Sequence, residues 1–259
     1  MCIGRNGRKG HQYFSFTDYD LFNPPRFVGL KNYINVLTNP ETWRAFRNVG
    51  FFGLIYIPLN VFLACVLGTA LNQKMKGITA FRTIYFMPNL LPWVSVSMVF
   101  ILLFNPLSGT VNYALSLLGI GPFEFTFSQS WMEVIASMAV MQVWKGVGYA
   151  SLFVLGGLQN ISEDVMEAAE IDGAGILARF FKITLPLLTP TIFMLTIFGL
   201  SNSLQVFDSF FVMLGSGGIV SSEFTVVNML IYDNAFQYGK IGVASAVCWV
   251  SFAFALSCL

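Results

Sequence analysis

The sequence predicts an all-α polytopic membrane protein. Hydrophobic residues fill 56% of its 259 positions and charged ones 10%, where a soluble domain carries about 25% charged residues. Mean hydropathy is +0.69. Five apolar runs, at 49–71, 84–104, 131–158, 185–206 and 241–259, approach or exceed the roughly 20 residues that a hydrocarbon core of ~30 Å requires.

The segment 1–48 holds no run long enough to span. MCIGRNGRKGHQ is basic and glycine-rich with no apolar stretch behind it, so it does not read as a signal peptide. Asn23-Pro24-Pro25 marks an irregular piece, a short helix is expected near 30–37, Asn39-Pro40 starts a turn, and 41–48 has helical character. Pro58, Pro88 and Pro92 fall inside the first two spans, where neighbouring helices re-satisfy freed carbonyls and proline is tolerated.

Loop charges set the orientation. Lys74, Lys76 and Arg82 follow the first span and Arg179 and Lys182 precede the fourth, whereas 105–130 contains no Lys or Arg and 215–240 only Lys240. Basic loops face the cytoplasm. Alternation then places 1–48 outside, although it carries Arg5, Arg8, Lys9, Arg26, Lys31, Arg44 and Arg47.

Between the third and fourth spans lies ISEDVMEAAEIDGAGILARFFKITLPLLTP, at 161–190. Ser162 is placed to cap a helix whose first turn holds Glu163 and Asp164. Val165, Met166, Ala168 and Ala169 give that helix an apolar side, and Glu163, Glu167 and Glu170 share an acidic face. Asp172-Gly173 is turn-prone, and a second short helix from about Gly175 carries Arg179 and Lys182 into Leu185-Pro186. By composition alone this is a solvated amphipathic connector.

Polar residues inside the spans are candidates for a transport path, because ionisable groups in a bilayer are costly unless they face water or the bundle interior. Lys145 lies deep in the third run with Gln142 three residues before it. It reads either as a cavity-lining charge or as a structural lysine held by a carbonyl or carboxylate of a neighbouring helix. Asn202, Gln205 and Asp208 recur at a spacing of three, making one side of a helix end polar; the alternative places Asp208 in the external interface, where a carboxylate costs little. Asn60 reads as interhelical glue, and Trp93 beside Pro92 as an interface anchor or a ring for sugar stacking.

Glu167-Ala168-Ala169, three residues, Gly173, nine residues, Ile183, one residue and Leu185-Pro186 resemble the cytoplasmic EAA loop of permeases in binding-protein-dependent ABC importers. YFSFTDYDLFNPPRFVGLKNYINVL, FRTIYFMPNLLP, VWKGVGYASLFVLGGLQNIS and QVFDSFFVMLGSGG resemble the carbohydrate-uptake subfamily, and the likeness runs from about Tyr13 to the end. The resemblance implies a transmembrane domain at 49–259 with its coupling loop at 159–184, in a bacterial cytoplasmic membrane. Glu167, Ala168, Ala169, Asp172 and Gly173 would dock on an ATPase subunit. Gln142, Lys145, Asn202, Gln205 and Asp208 would line the path. The implied partners are a second homologous permease, two cytoplasmic ATPases, an external solute-binding protein and the bilayer. Neutral saccharides are the first choice of solute, with glycerol phosphates behind. Relatives carry a further span ahead of the sequence matching YFSFTDYD, so the first helix of the family is expected to be missing here, leaving 1–48 non-spanning and external from residue 13. A truncated relic and a gradient-driven carrier are the alternatives.

Other chemistries are not encoded. No phosphate-binding loop of the G-x-x-x-x-G-K-[ST] type is present, so ATP hydrolysis falls to other subunits. The one histidine, His11, lies near the N-terminus away from other candidate ligands, and no cofactor or metal is expected. The four cysteines are far apart and read as small apolar side chains. Net charge +1 without a basic stripe argues against nucleic acid.

Overall fold

The computed structural model describes residues 17–20, 23–72, 77–119, 131–215 and 223–258. Lys74, Lys76, His11, the basic residues Arg5, Arg8 and Lys9, and residues 120–130 and 216–222 of the expected external stretches 105–130 and 215–240 lie outside the described residues.

One feature departs from an all-α fold. Strands β1 (Thr17–Asp20) and β2 (Asn23–Phe27) form an antiparallel hairpin, with Thr17 opposite Phe27 and Asp18 opposite Arg26. Strands of four and five residues show no usable periodicity, and the two prolines of β2 are compatible with a strand that has an open edge.

Helix α1 (Lys31–Thr38) follows, where a short helix is expected. The Asn39 side chain then accepts a hydrogen bond of 2.9 Å from the Glu41 backbone N–H, and Pro40 occupies the first turn. This cap starts α2 (Pro40–Leu71), a helix of 32 residues. The expected 41–48 helix and the first span are therefore one element, since nothing between them breaks the ladder. Pro58 is tolerated within it.

Among the described residues, two helices are each long and apolar enough to cross a membrane: α2 and α6 (Trp131–Gln159). The run at 84–104 is instead divided between α3 (Ile78–Leu90) and α4 (Trp93–Leu103), bent by 95°. Pro92 is the cause. It has no N–H to extend the ladder, and it forces Leu91 into an extended conformation with ψ 141°. The run at 185–206 is divided too: Phe180–Leu187 meets Thr189–Leu204 at 61°. A π-helical turn, with the Leu185 N–H bonded five residues back to Phe180, absorbs the register change ahead of Pro186. The spans expected at these two places are thus each a bent pair of helices. The remaining elements are α5 (Thr110–Leu117), α7 (Glu163–Ile171), α8 (Ile176–Arg179), α9 (Leu185–Leu187), α10 (Thr189–Leu204), α11 (Asp208–Gly215), α12 (Val227–Tyr232), a second π-helical turn at Asp233–Gln237 and the apolar α13 (Ile241–Cys258).

Helices α2 and α6 form the spine of the molecule. Small residues let them approach: a Cβ at Gly68 would lie 2.7 Å from Val154 Cγ1, and one at Gly148 would overlap the backbone carbonyl of Tyr85 on α3. Within the core, Phe52 is stacked 5.6 Å from Tyr56 and edge-on 5.4 Å from Phe210 of α11.

One end of the spine is tied by Asn48, which is fully buried. Its amide donates to the carbonyls of Glu223 (2.6 Å) and Thr225 (2.9 Å), and its Oδ1 accepts from Trp131 Nε1 at 2.7 Å. The Arg47 guanidinium covers the Trp131 ring at 4.8 Å. At the other end, Arg82 donates to the last carbonyl of α2, Leu71, at 3.0 Å, complementing the negative end of the helix dipole.

Two outcomes follow. Gly148→Ala wedges α3 from α6 and lowers stability by about 1–3 kcal/mol, read as a lower thermal midpoint of the detergent-solubilised protein. Asn48→Leu strands the Trp131 donor and two carbonyls at a cost of about 1–3 kcal/mol, and limited proteolysis cuts the 223–225 segment faster than in the wild type.

Candidate functional site

The break between α3 and α4 has a chemical consequence. Asn89 lies in the last turn of α3, whose carbonyls have no continuing helix to bond them. Lys145, projecting from α6 and only 4% exposed, donates to the Asn89 carbonyl at 2.9 Å. Its ammonium also sits 4.4 Å from the centre of the Trp93 ring, the first residue of α4. The lysine therefore bridges both halves of the broken segment.

These groups form one wall of a cavity of about 450 Å³. Gln142 and Lys145 reach it from α6, Tyr56 and Asn60 from α2, and Asn202 and Phe198 from α10. The Tyr56 hydroxyl faces the side-chain amides of Gln142 and Asn202. Asn60 is 7% exposed, and its Oδ1 is buried with no hydrogen-bond partner among the described residues. A Cβ at Gly146 would lie 3.6 Å from that oxygen and 3.3 Å from the Tyr56 hydroxyl, so the absence of a side chain there keeps the niche open.

All five path candidates, Gln142, Lys145, Asn202, Gln205 and Asp208, line this one cavity. The last three do not share a helix. Asn202 is in the final turn of α10, Gln205 is its C-terminal cap and bonds Ser201 Oγ at 2.8 Å, and Asp208 opens α11. Both readings of Lys145 describe its geometry: it lines the cavity and it is held by a carbonyl. Asn60, read as helix glue, instead presents an unused acceptor to the cavity wall. Tyr56, Asn89 and Tyr149 were missed; the spacing of four between Tyr56 and Asn60 on an otherwise apolar helix was the available signal.

A second candidate region lies in the loop after α6. Ser162 occupies the N-cap position of α7 without a side-chain cap bond. The helix ends in a Schellman arrangement: Ala174 N–H bonds to the Ala169 carbonyl and Gly173 N–H to that of Glu170, both at 3.0 Å, with Gly173 at φ +76°. Arg179 on α8 pairs with Glu170 at 2.7 Å and closes the hairpin across its exposed side. Glu167, Ala168, Asp172 and Gly173 are exposed while Ala169 is buried. Of the expected apolar side, Val165 (43% exposed) and Ala168 are uncovered while Met166 is half-buried and Ala169 buried; Ile171, outside that set, is 86% exposed. Among the described residues, no group of three His, Cys, Asp or Glu is placed to hold a metal.

Comparison with known proteins gives these two regions a context. Residues 54–259 match the family described as binding-protein-dependent transport system inner membrane component. The chain is 32% identical to the trehalose/maltose transport system permease protein MalF of Thermococcus litoralis, over 89% of this chain and 77% of that one. It is 34% identical to the multiple sugar-binding transport system permease protein MsmF of Streptococcus mutans, over 93% and 81% respectively. The fold is shared with a chain of a bacterial ABC transporter involved in the import of the acidic polysaccharide alginate, with a TM-score of 0.77, 24% identity and coverage of 89% of this chain and 80% of that chain. The chain belongs to the binding-protein-dependent transport system inner membrane component family and is a permease subunit of that kind.

Proposed function

We propose that the cavity between α2, α4, α6 and α10 is this subunit's share of the solute path, and that the α7–α8 hairpin is the surface on which an ATPase subunit docks. The observation that carries the reading is the convergence of Gln142, Lys145, Asn202, Gln205 and Asp208, drawn from separate elements, on one polar cavity in an otherwise apolar chain. Aromatic faces and amide groups are the combination that suits a saccharide, with its apolar ring faces and hydroxyl edges. The names of the relatives, a trehalose/maltose and a multiple-sugar system, support a sugar solute.

In this reading the chain lies in the bacterial cytoplasmic membrane as a multi-pass protein, with 49–259 as its transmembrane domain and 1–48 as a non-spanning segment. The five apolar runs serve as five crossings, two of them bent. A second, homologous permease completes the path, a solute-binding protein delivers the sugar from outside, and two ATPases act from the cytoplasm.

The hairpin is built for contact. Glu167 and Asp172 are exposed carboxylates, and Val165 and Ile171 are exposed apolar side chains on the same short helix. Such a surface gains from insertion into a groove that covers the apolar groups and pairs the acids. The Schellman end and the Glu170–Arg179 pair hold α7 and α8 in one shape, so a push on α7 moves the hairpin as a unit. Closure of the ATPases then tilts α6 and the bent α9–α10 segment that flank the loop, and these carry two walls of the cavity.

Glu167→Lys leaves the complex inserted and folded but lowers uptake about tenfold or more relative to ATP hydrolysis, measured in proteoliposomes with both ATPases and the binding protein; unchanged coupling overturns the docking role. Gly173→Val forces a β-branched residue into the left-handed region at a cost of about 1–2 kcal/mol, concentrated in the hairpin. The ATPase subunits then co-purify in reduced yield while the permease pair remains intact, and normal co-purification refutes the assignment.

A further inference from the structure

Among the described residues, the cavity wall holds an interior cation without a counter-ion. Lys145 is 4% exposed, and one of its three N–H donors is taken by the Asn89 carbonyl while the Trp93 ring lies against the ammonium. A carbonyl and a ring face each attract a cation, yet neither neutralises it. Among the described residues no carboxylate forms an ion pair with Lys145; the pair recorded is Glu170 with Arg179, in the loop. Asp208 lines the same cavity, but it is exposed and stands in the first turn of α11, where the helix dipole offsets its charge.

A second orphan lies on the facing helix. Asn60 Oδ1 is an acceptor without a donor in a residue 7% exposed, beside the gap left by Gly146. Gly146 follows Lys145 directly on α6, so the unneutralised cation and the unused acceptor belong to one short stretch of wall. Buried polar groups left unmatched are costly, and a ligand that supplies the missing partners recovers that cost on binding.

We propose that the cavity selects an acidic saccharide, one bearing a carboxylate, sulfonate or phosphate that pairs with Lys145 while a sugar hydroxyl donates to Asn60 Oδ1. The assignment rests on the cavity being the solute path and sharpens it: neutral sugars satisfy Asn60 and leave the ammonium unpaired. It differs from the neutral saccharide that is the first choice from sequence.

The test uses the complete permease–ATPase complex in nanodiscs, without the binding protein, so that the affinity read is that of the membrane cavity. Digalacturonate, glucose 6-phosphate and the neutral disaccharide of galactose are titrated by calorimetry, first at low and then at high ionic strength. At least one acidic probe binds about tenfold or more tightly than the neutral one, the order expected of a charge-assisted hydrogen bond, and that preference shrinks with salt. Lys145→Gln removes the charge and abolishes the preference, so that in this variant acidic and neutral probes bind with equal affinity. Asn60→Ala weakens acidic and neutral probes alike. Equal affinity for all three, or an acidic preference that survives Lys145→Gln, overturns the proposal, as does absence of binding by every probe in an assembled complex. Should Lys145→Gln fail to assemble, the wild-type ratio and its salt dependence decide alone. Failure of the wild-type chain to assemble with the ATPases is a different result and counts against the docking and path assignments themselves.

Discussion

The interaction on which this structure turns is the bond from Lys145 to the carbonyl of Asn89. In a low-dielectric interior both partners are expensive alone: an ammonium has lost its water, and a carbonyl at a helix end has lost its ladder. Pro92 creates the free carbonyl by ending α3, and Lys145 answers it from α6 while its charge rests on Trp93 at the start of α4. The bend of 95° is therefore held from both sides. A break that would be a defect in a straight span becomes a corner of a polar cavity.

Around that corner the packing is governed by small residues. Hydrophobic side chains gain little from each other in a bilayer that is equally apolar, so helices associate where backbones can approach. Gly68 against Val154 brings α2 onto α6, and Gly148 brings α6 onto the Tyr85 backbone of α3. The close approach at Gly148 sits one turn from Lys145, and the two together fix how far α3 stands from α6. Polar contacts finish the arrangement at one end of the spine, where Asn48 joins α2, α6 and the segment before α12 with every side-chain polar atom bonded. Asn48 and Asn60 differ in role though both are buried on α2: the first is saturated by protein, the second keeps an acceptor in reserve.

The chain thus separates rigidity from responsiveness. The spine is apolar, closely packed and tied. The hairpin of α7 and α8 is exposed, held by its own turn geometry and one surface ion pair, a contact worth at most about 1 kcal/mol. Its shape comes from backbone hydrogen bonds at Gly173, so it can transmit a displacement without depending on the salt bridge. Because α6 runs from the cavity wall into this loop, the two regions share one continuous element.

What the sequence by itself determined is everything that depends on local pattern. Apolar runs located the helices that form the spine, Gly173 marked a left-handed turn that is present, and the charge in the third run and the polar trio at 202–208 named residues that meet in one cavity. Tertiary structure decided the rest, for a physical reason in each case. Hydropathy sees composition and not direction, so 84–104 reads as one span although Pro92 turns the chain through 95°. Whether a polar side chain is satisfied depends on partners far away in sequence: Asn60 and Asn48 are the same residue on the same helix, and only the fold gives three long-range hydrogen bonds to one and an unfilled acceptor to the other. The charge of Lys145 was legible; that it lies beside a carbonyl and a ring, with no carboxylate among the described residues to neutralise it, required the fold to bring α3, α4 and α6 to one point.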